Sequence, residues 1–418
     1  MNQRPETKTE QEKLLELQFR VADEKSTKTA DLLAVIAFLL IIFGFCAVGW
    51  ILPDRTFSPD ENRDLTQLPS LEKDGKPFGN LFEGNFTSQF TDYLSDQFPL
   101  RDTFVGLKAA AELSLGKCEN EDKVAGKNGR IYEREDYPSS ENLKTNLSHI
   151  AAFTNWATEK GIPVILAPTG RAQDVFPEDL PALYPASLSD EIWETFGKET
   201  EKIASLKYVD LRAALTAKKT AGENLYYRTD HHWTTLGAYY AYETLGAALS
   251  YTPYARSDFS ETAIADDFHG TYWSGSGMKW IGGEEMTLFR YDGDEDFTTV
   301  SPAEGTFSGF YVNKYFSEKD KYAGFFGSNT GLVTVRKNGE ENRPRVLLVK
   351  DSFAHSLAPF LARHYDLDLL DLRYYSQSTV KTLCEQNGYS AVLILGNLDL
   401  FTDDPATTRF ALLSAGCQ

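Results

Sequence analysis

The chain has 418 residues, and 61 acidic against 42 basic side chains leave a net charge of −19. No basic stripe is available to release counterions from phosphates, so nucleic acid is excluded as a partner. Four cysteines without metal-like spacing imply no disulfide framework, although Cys384 and Cys417 could pair in an oxidising compartment.

Residues 1–31 are charged and poor in apolar side chains, and read as a fraying cytoplasmic tail. Residues 32–52, LLAVIAFLLIIFGFCAVGWIL, are uncharged and almost wholly apolar. At about 1.5 Å per residue they cross a hydrocarbon core of about 30 Å. A cleaved signal peptide has a shorter apolar region, roughly 7 to 15 residues, so a single-pass signal anchor is expected. Arg4, Lys8, Lys13, Arg20, Lys25 and Lys28 precede it, against Arg55, Arg63, Lys73 and Lys76 just after it. This bias places the N-terminus in the cytoplasm and the rest of the chain outside the cell membrane. Pro53, Pro59, Pro69 and Pro77 mark 53–80 as a linker, followed by an extracytoplasmic domain over 81–418. That domain opens with Phe82, Phe86, Phe90, Tyr93 and Leu94 at helical spacing, a break near Pro99 and a second helix.

Further on, short apolar runs alternate with helical stretches. The runs are IPVILAP (162–168), LKYVDL (206–211), the stretch at 345–350, LDLLDL (367–372) and SAVLILGN (390–397). Near-continuous apolar strands separated by helices predict a mostly parallel sheet covered on both faces, a three-layer α/β sandwich. Ligands in such folds sit beyond the carboxyl ends of the strands. Residues 255–342 break the pattern with GTYWSGSGMKWIGG and GTFSGFYVNKYF, and read as a β-rich insertion, either a substrate platform or simple aromatic packing.

The chemistry concentrates in two stretches. In RTDHHWTTLGAYY (228–240), two of only six histidines adjoin an Asp and a Trp. Three readings compete: a metal site, the base half of a nucleophilic triad, and a turn before a helix. If 227–233 run extended, Asp230 and His232 point the same way and His231 points elsewhere. In VLLVKDSFAHS (346–356), Ser352 stands where a buried strand gives way to a helix, beside backbone N–H groups and the positive end of the helix dipole. Asp and Ser there also serve as ordinary N-caps. A serine hydroxyl needs a base, and that base needs a partner to fix its tautomer. The chain order Asp, His, Ser is no obstacle. Asp-His-His also invites comparison with the DHH phosphoesterases, but the further Asp motifs that those require are missing, so no metal or other cofactor is expected. His149, His269, His355 and His364 read as surface or packing residues, with His355 one turn after Ser352 able to line a cleft.

Together, DHHW (230–233), KDSF (350–353), DLRYY (371–375) and DQFPLRD (96–102) resemble the DHHW family of bacterial cell-surface proteins. That family is similar to the alginate O-acetyltransferase proteins of SGNH-hydrolase-like fold, and the resemblance covers roughly 50–405. It implies a triad of Asp230, His232 and Ser352 acting on O-acetyl groups of a polysaccharide or other glycan. It also implies a membrane-bound acyltransferase as the partner that supplies acetyl groups. The chain departs from the usual Gly-Asp-Ser in having Lys350-Asp351-Ser352. LGNLD offers Asn397 as a counterpart of the oxyanion-hole asparagine, against simple turn chemistry. Arg373, and Gly327 and Asn329 of FFGSN, are further candidates for oxyanion or substrate contact. The leading expectation is a membrane-anchored O-acetyltransferase working through an acetyl-serine intermediate. A carbohydrate acetylesterase with the same triad and a non-catalytic glycan-binding scaffold of an acyltransferase complex are the alternatives.

Overall fold

The computed structural model describes residues 9–134, 140–182, 184, 189–219 and 223–416. These divide into two compact units, one reaching Ser58 and including Arg63–Phe104, the other holding Pro59–Asn62 and everything from Val105.

The first unit is built on a helix over Glu10–Ile51. Its Lys28–Ile51 part contains an 18-residue stretch with a mean hydropathy of 2.9, and it is the one candidate membrane span among the described residues. Of the charged stretch expected to fray, residues 1–8 lie outside the described residues and the part from Glu10 is helical; Glu, Lys, Leu and Gln are strong helix formers. Helices Asn85–Asp96 and Arg101–Ser114 flank Pro99 as the spacing predicts. The stretch expected to be a linker is partly tied down. Arg63 donates twice to the buried Asp96, at 2.6 and 2.9 Å, and the Thr66 N–H donates to the same carboxylate at 2.8 Å. A buried carboxylate that gathers three donors outweighs a proline-rich composition. Cys384 is buried, and Cys417 lies outside the described residues.

The second unit carries the main sheet. Its strands are β1 (Val164–Thr169), β2 (Leu206–Tyr208), β3 (Phe297–Ser301), β4 (Gly305–Ser308), β5 (Leu332–Lys337), β6 (Arg345–Lys350), β7 (Asp366–Leu370) and β8 (Ala391–Asn397). They lie in the order β4-β3-β5-β7-β6-β8-β1-β2. The five strands from β7 to β2 run parallel, and β5, β3 and β4 extend the sheet antiparallel. Successive side chains of β6 take opposite faces. Val346 and Leu348 join a core with Tyr239 and Leu245 of helix Thr235–Leu249, whereas Leu347 and Val349 join another with Leu147 and Ile150 of helix Ser140–Glu159. The fold is therefore the expected α/β sandwich with a mostly parallel sheet.

Residues 255–342 are less separate than the word insertion suggests. After a hairpin of Ser260–Phe268 with Glu284–Arg290, they supply β3, β4 and β5 to the main sheet. Antiparallel edge strands alternate polar and apolar residues, so they lack the continuous apolar runs that betray the parallel ones.

Candidate active site

The Asp-His segment is a tight loop. Tyr226 and Trp233 form an antiparallel bridge, and the Tyr227 N–H donates to the His232 carbonyl at 3.1 Å. The chain thus doubles back and does not run extended through 227–233. Asp230 and His232 still meet, by a different route. The His232 N–H donates to Asp230 Oδ1 at 2.9 Å, an Asx-type turn, and His232 Nδ1 lies 2.6 Å from the same oxygen. His231 does not point away, because the turn sets its ring against His232 with centroids 3.7 Å apart and planes tilted by 38°, and its Nδ1 lies 2.8 Å from Thr271 Oγ1. Buried Glu284 anchors the loop, accepting from the N–H groups of Arg228 and Thr229 and from the Thr229 hydroxyl. Thr271 donates to Asp230 Oδ2 through its N–H at 2.8 Å and its hydroxyl at 3.1 Å. A Cβ at Gly270 would stand 2.2 Å from the Cβ of Asp230, so only glycine admits this approach.

The hydroxyl partner comes from the end of β6. Asp351 turns the chain by accepting from the N–H groups of Phe353 at 2.9 Å and Asn397 at 2.6 Å, and a helix over Ala354–Leu361 follows. Between them, Ser352 places its Oγ 2.7 Å from His232 Nε2. Tyr322 lies parallel to the His232 ring at 3.8 Å and donates its hydroxyl to the Ser352 carbonyl at 3.2 Å. Burial alone would raise the pKa of Asp230, but the two imidazoles and its hydrogen bonds hold the carboxyl well below the usual carboxylate range. With Asp230 ionised, the proton of His232 belongs on Nδ1, leaving Nε2 to accept from Ser352. His231 is pushed down to about 4 by burial and by His232 beside it.

A cavity of about 480 Å³ opens over this group, lined by Asp230, His231, His232 and Ser352 and by Gly327, Asn329 and Arg373. Asn397 does not line it: its N–H serves Asp351 and its Nδ2 donates to Asp399 at 2.9 Å. Lys350, where the usual motif has glycine, is buried behind the cavity. Its Nζ lies 2.8 Å from His355 Nε2 and 3.4 Å from both Asn329 Oδ1 and Asp371 Oδ2. Arg373 grips the same Asp371 at 2.6 and 2.8 Å. Burial holds the Lys350 ammonium below its ordinary range and His355 well below its own, so the imidazole accepts from the lysine. A larger groove of about 1000 Å³ around Tyr251, Arg343 and His364 opens near the other ends of the strands, and there His364 Nε2 lies 2.8 Å from the Tyr242 hydroxyl.

Asp230, His231 and His232 also present ligand atoms within 4.8 Å of one another. The donor geometry suits a proton relay better than a metal ion. Two ligand atoms on one tetrahedral ion stand roughly 3 Å or more apart, whereas Asp230 Oδ1 and His232 Nδ1 are 2.6 Å apart and His232 Nε2 faces Ser352. Thr271, Gly270, Tyr322 and Glu284 were missed in the sequence. Their only trace was the Gly- and aromatic-rich composition of 255–342.

Comparison with known proteins agrees with the motifs. Residues 213–369 match a family model described as DHHW protein, and residues 124–277 match one described as SGNH hydrolase-like domain, acetyltransferase AlgX. A probable alginate O-acetylase AlgJ of Pseudomonas syringae pv. tomato is 29% identical over 174 residues, covering 41% of this chain and 44% of that protein. The Pseudomonas aeruginosa protein of the same name is 26% identical over 175 residues, with the same coverage of 41% and 44%. The chain thus spans less than half the length of these relatives. A DHHW family protein from Eubacterium siraeum has a similar fold, with a TM-score of 0.57 at 20% identity over 70% of this chain and 97% of that one. Bacillus cereus PatB1 has a TM-score of 0.59 at 20% identity, over 70% and 99% of the two chains. The resemblance to DHHW and alginate O-acetylase proteins drawn from the motifs is borne out.

Proposed function

We propose that the chain is an extracytoplasmic O-acetyltransferase acting on a glycan, with Ser352 as nucleophile, His232 as general base and Asp230 as the anion that orients it. The observation that carries this reading is the line of short contacts from Asp230 Oδ1 through His232 to Ser352 Oγ. Ser352 Oγ bonds to the acetyl carbonyl carbon of the donor while its proton passes to His232 Nε2. The tetrahedral oxyanion falls to the Ser352 N–H, which donates to no acceptor among the described residues, and to Asn329 and Arg373 on the cavity wall. Collapse returns the proton to the departing donor oxygen. A glycan hydroxyl then attacks the carbonyl carbon of acetyl-Ser352 and loses its proton to His232 Nε2; the bond from Ser352 Oγ to that carbon breaks, the proton returns to Oγ, and the glycan leaves esterified. Asp230 stays ionised throughout.

The acetyl group and the glycan are supported by the names of the relatives, and a membrane-bound acyltransferase is the proposed source of acetyl groups. The apolar Lys28–Ile51 helix serves as a single-pass anchor, N-terminus in the cytoplasm, with the sheet-bearing unit outside as the catalytic domain. The test uses the full chain in detergent with an acetyl-ester probe, with and without oligosaccharide acceptors. Acetyl transfer to an acceptor that disappears in Ser352→Ala supports the proposal. Release of acetate alone, whatever the acceptor, favours an esterase, and turnover that survives Ser352→Ala rejects both.

A further inference from the structure

The turn between Asp96 and Arg101 carries the uncharged tripeptide Phe98-Pro99-Leu100, and it packs on the long N-terminal helix. The Phe98 ring stacks on Phe45 with centroids 5.3 Å apart and 9° between planes, and Phe104 meets both rings edge-on at 5.7 and 5.8 Å. A Cβ at Gly49 would stand 3.6 Å from the Pro99 ring, so the turn lies close against this stretch of helix. Phe45 stands six residues before Ile51, the last residue of the helix. At about 1.5 Å per residue the stacked rings lie about 9 Å along the helix from that end. Elements lying in a membrane interface bury their apolar faces about 5–10 Å deep.

The outer surface of the turn suits lipid. Phe98, Leu100 and Phe104 are 42%, 66% and 42% exposed. Leu100 also holds φ at +59°, a left-handed conformation that strains a residue with a side chain. The backbone of the tip asks little of solvent. Pro99 has no N–H, the Phe98 carbonyl accepts from the Arg101 N–H at 3.1 Å, and the Leu100 carbonyl accepts from the Phe104 N–H at 3.1 Å. Flanking charges are matched, Arg63 with Asp96 and Arg55 with Asp102. Trp50, 93% exposed at the same end of the span, is of the type that anchors at a membrane interface.

We propose that Phe98-Pro99-Leu100 is a second membrane contact, an interfacial wedge whose partner is the lipid bilayer beside the outer end of the span. The inference rests on reading Lys28–Ile51 as membrane-spanning. The test places a nitroxide at Leu39→Cys in the span, Leu100→Cys in the wedge, or Lys198→Cys on an exposed helix. Each is made in full-length protein whose four native cysteines are replaced, reconstituted in phosphatidylcholine–phosphatidylglycerol nanodiscs. Accessibility to oxygen is compared with accessibility to a water-soluble nickel chelate. The expected oxygen-to-nickel ratio at position 100 is at least threefold that at 198 and approaches that at 39. A lipid-like ratio at 39 with an aqueous ratio at 100 overturns the wedge alone. An aqueous ratio at 39 overturns the spanning reading and the wedge with it. Protection at 100 that appears in native membranes but not in nanodiscs assigns the surface to a membrane protein and overturns the lipid assignment.

Discussion

Trp233 donates its indole N–H to the carbonyl of Phe353 at 3.0 Å and shares it with Ser356 Oγ at 2.8 Å. This bond joins the loop that carries His232 to the turn that carries Ser352, so the last residue of the DHHW motif is a clamp between base and nucleophile. Trp233→Phe keeps most of the packing and removes the donor shared by two buried acceptors, of which Ser356 Oγ keeps the Tyr322 hydroxyl at 3.1 Å. A stability loss of about 1–3 kcal/mol is expected in denaturant unfolding. Acetyl-ester turnover should show roughly a tenfold lower kcat with KM nearly unchanged, because the substrate cavity is intact while the base drifts.

The triad variants should act as one unit. Ser352→Ala and His232→Ala are each expected to lower kcat by roughly 10³-fold or more, and the double variant should fall no further. Asp230→Asn should approach the same loss, since an amide holds the imidazole in the wrong tautomer. Steady-state kinetics of the four proteins checks this. Additive losses in the double variant would mean that base and nucleophile serve different steps. Chelation should leave wild-type activity unchanged, and loss on chelation with recovery on adding a divalent ion would replace the serine mechanism with a metal one.

His231 makes stability pH-dependent, and the sign follows from its depressed pKa. The unfolded imidazole titrates near 6.5, and in the fold it titrates at about 4. Between these values the unfolded chain binds the extra proton, so stability falls as pH drops from about 7 to 5. The contribution of this one ring is about 2 kcal/mol over that interval. His231→Gln should flatten the dependence by that amount in unfolding experiments at the two pH values. An unchanged slope would place the pH sensitivity in another histidine.

Lys350 and Asp371 are both about 1% exposed at the side chain, and their contact of 3.4 Å is shared with Arg373 and His355. Lys350→Met leaves Asp371 to Arg373 alone and takes the donor from His355 Nε2 and Asn329 Oδ1, and should cost about 1–3 kcal/mol. Lys350→Met with Asp371→Leu should recover much of that stability. Activity should stay low in both proteins, because Asn329 loses Lys350 in each and Arg373 also loses Asp371 in the double variant. Recovery of activity together with stability would make the cluster purely structural.

Legibility in the sequence followed the physics of each element. Strands β1, β6, β7 and β8 were visible because burial on both faces demands continuous apolar residues. Strands β3 to β5 were not, since runs such as LVTVRK alternate in the half-solvated antiparallel part of the sheet. Asp230, His232 and Ser352 stood out because a serine nucleophile needs those residue types, but the argument from strand alternation failed for His231. An Asx turn sets its direction, and nothing in the spacing of the residues distinguishes the two backbones. Gly327, Asn329 and Arg373 line the cavity, whereas Asn397 spends its N–H on Asp351. Tyr322 and Thr271 escaped notice because their contacts with the loop that carries Asp230 and His232 cross long stretches of chain, 41 residues from Thr271 to Asp230.

The most direct test of the central claim is intact-protein and peptide mass spectrometry after brief exposure of the full chain to an activated acetyl ester without acceptor. The account predicts one added acetyl group, mapped to Ser352, absent in Ser352→Ala and discharged when a glycan acceptor is supplied. Acetylation at another residue, or turnover with Ser352 never modified, would contradict it.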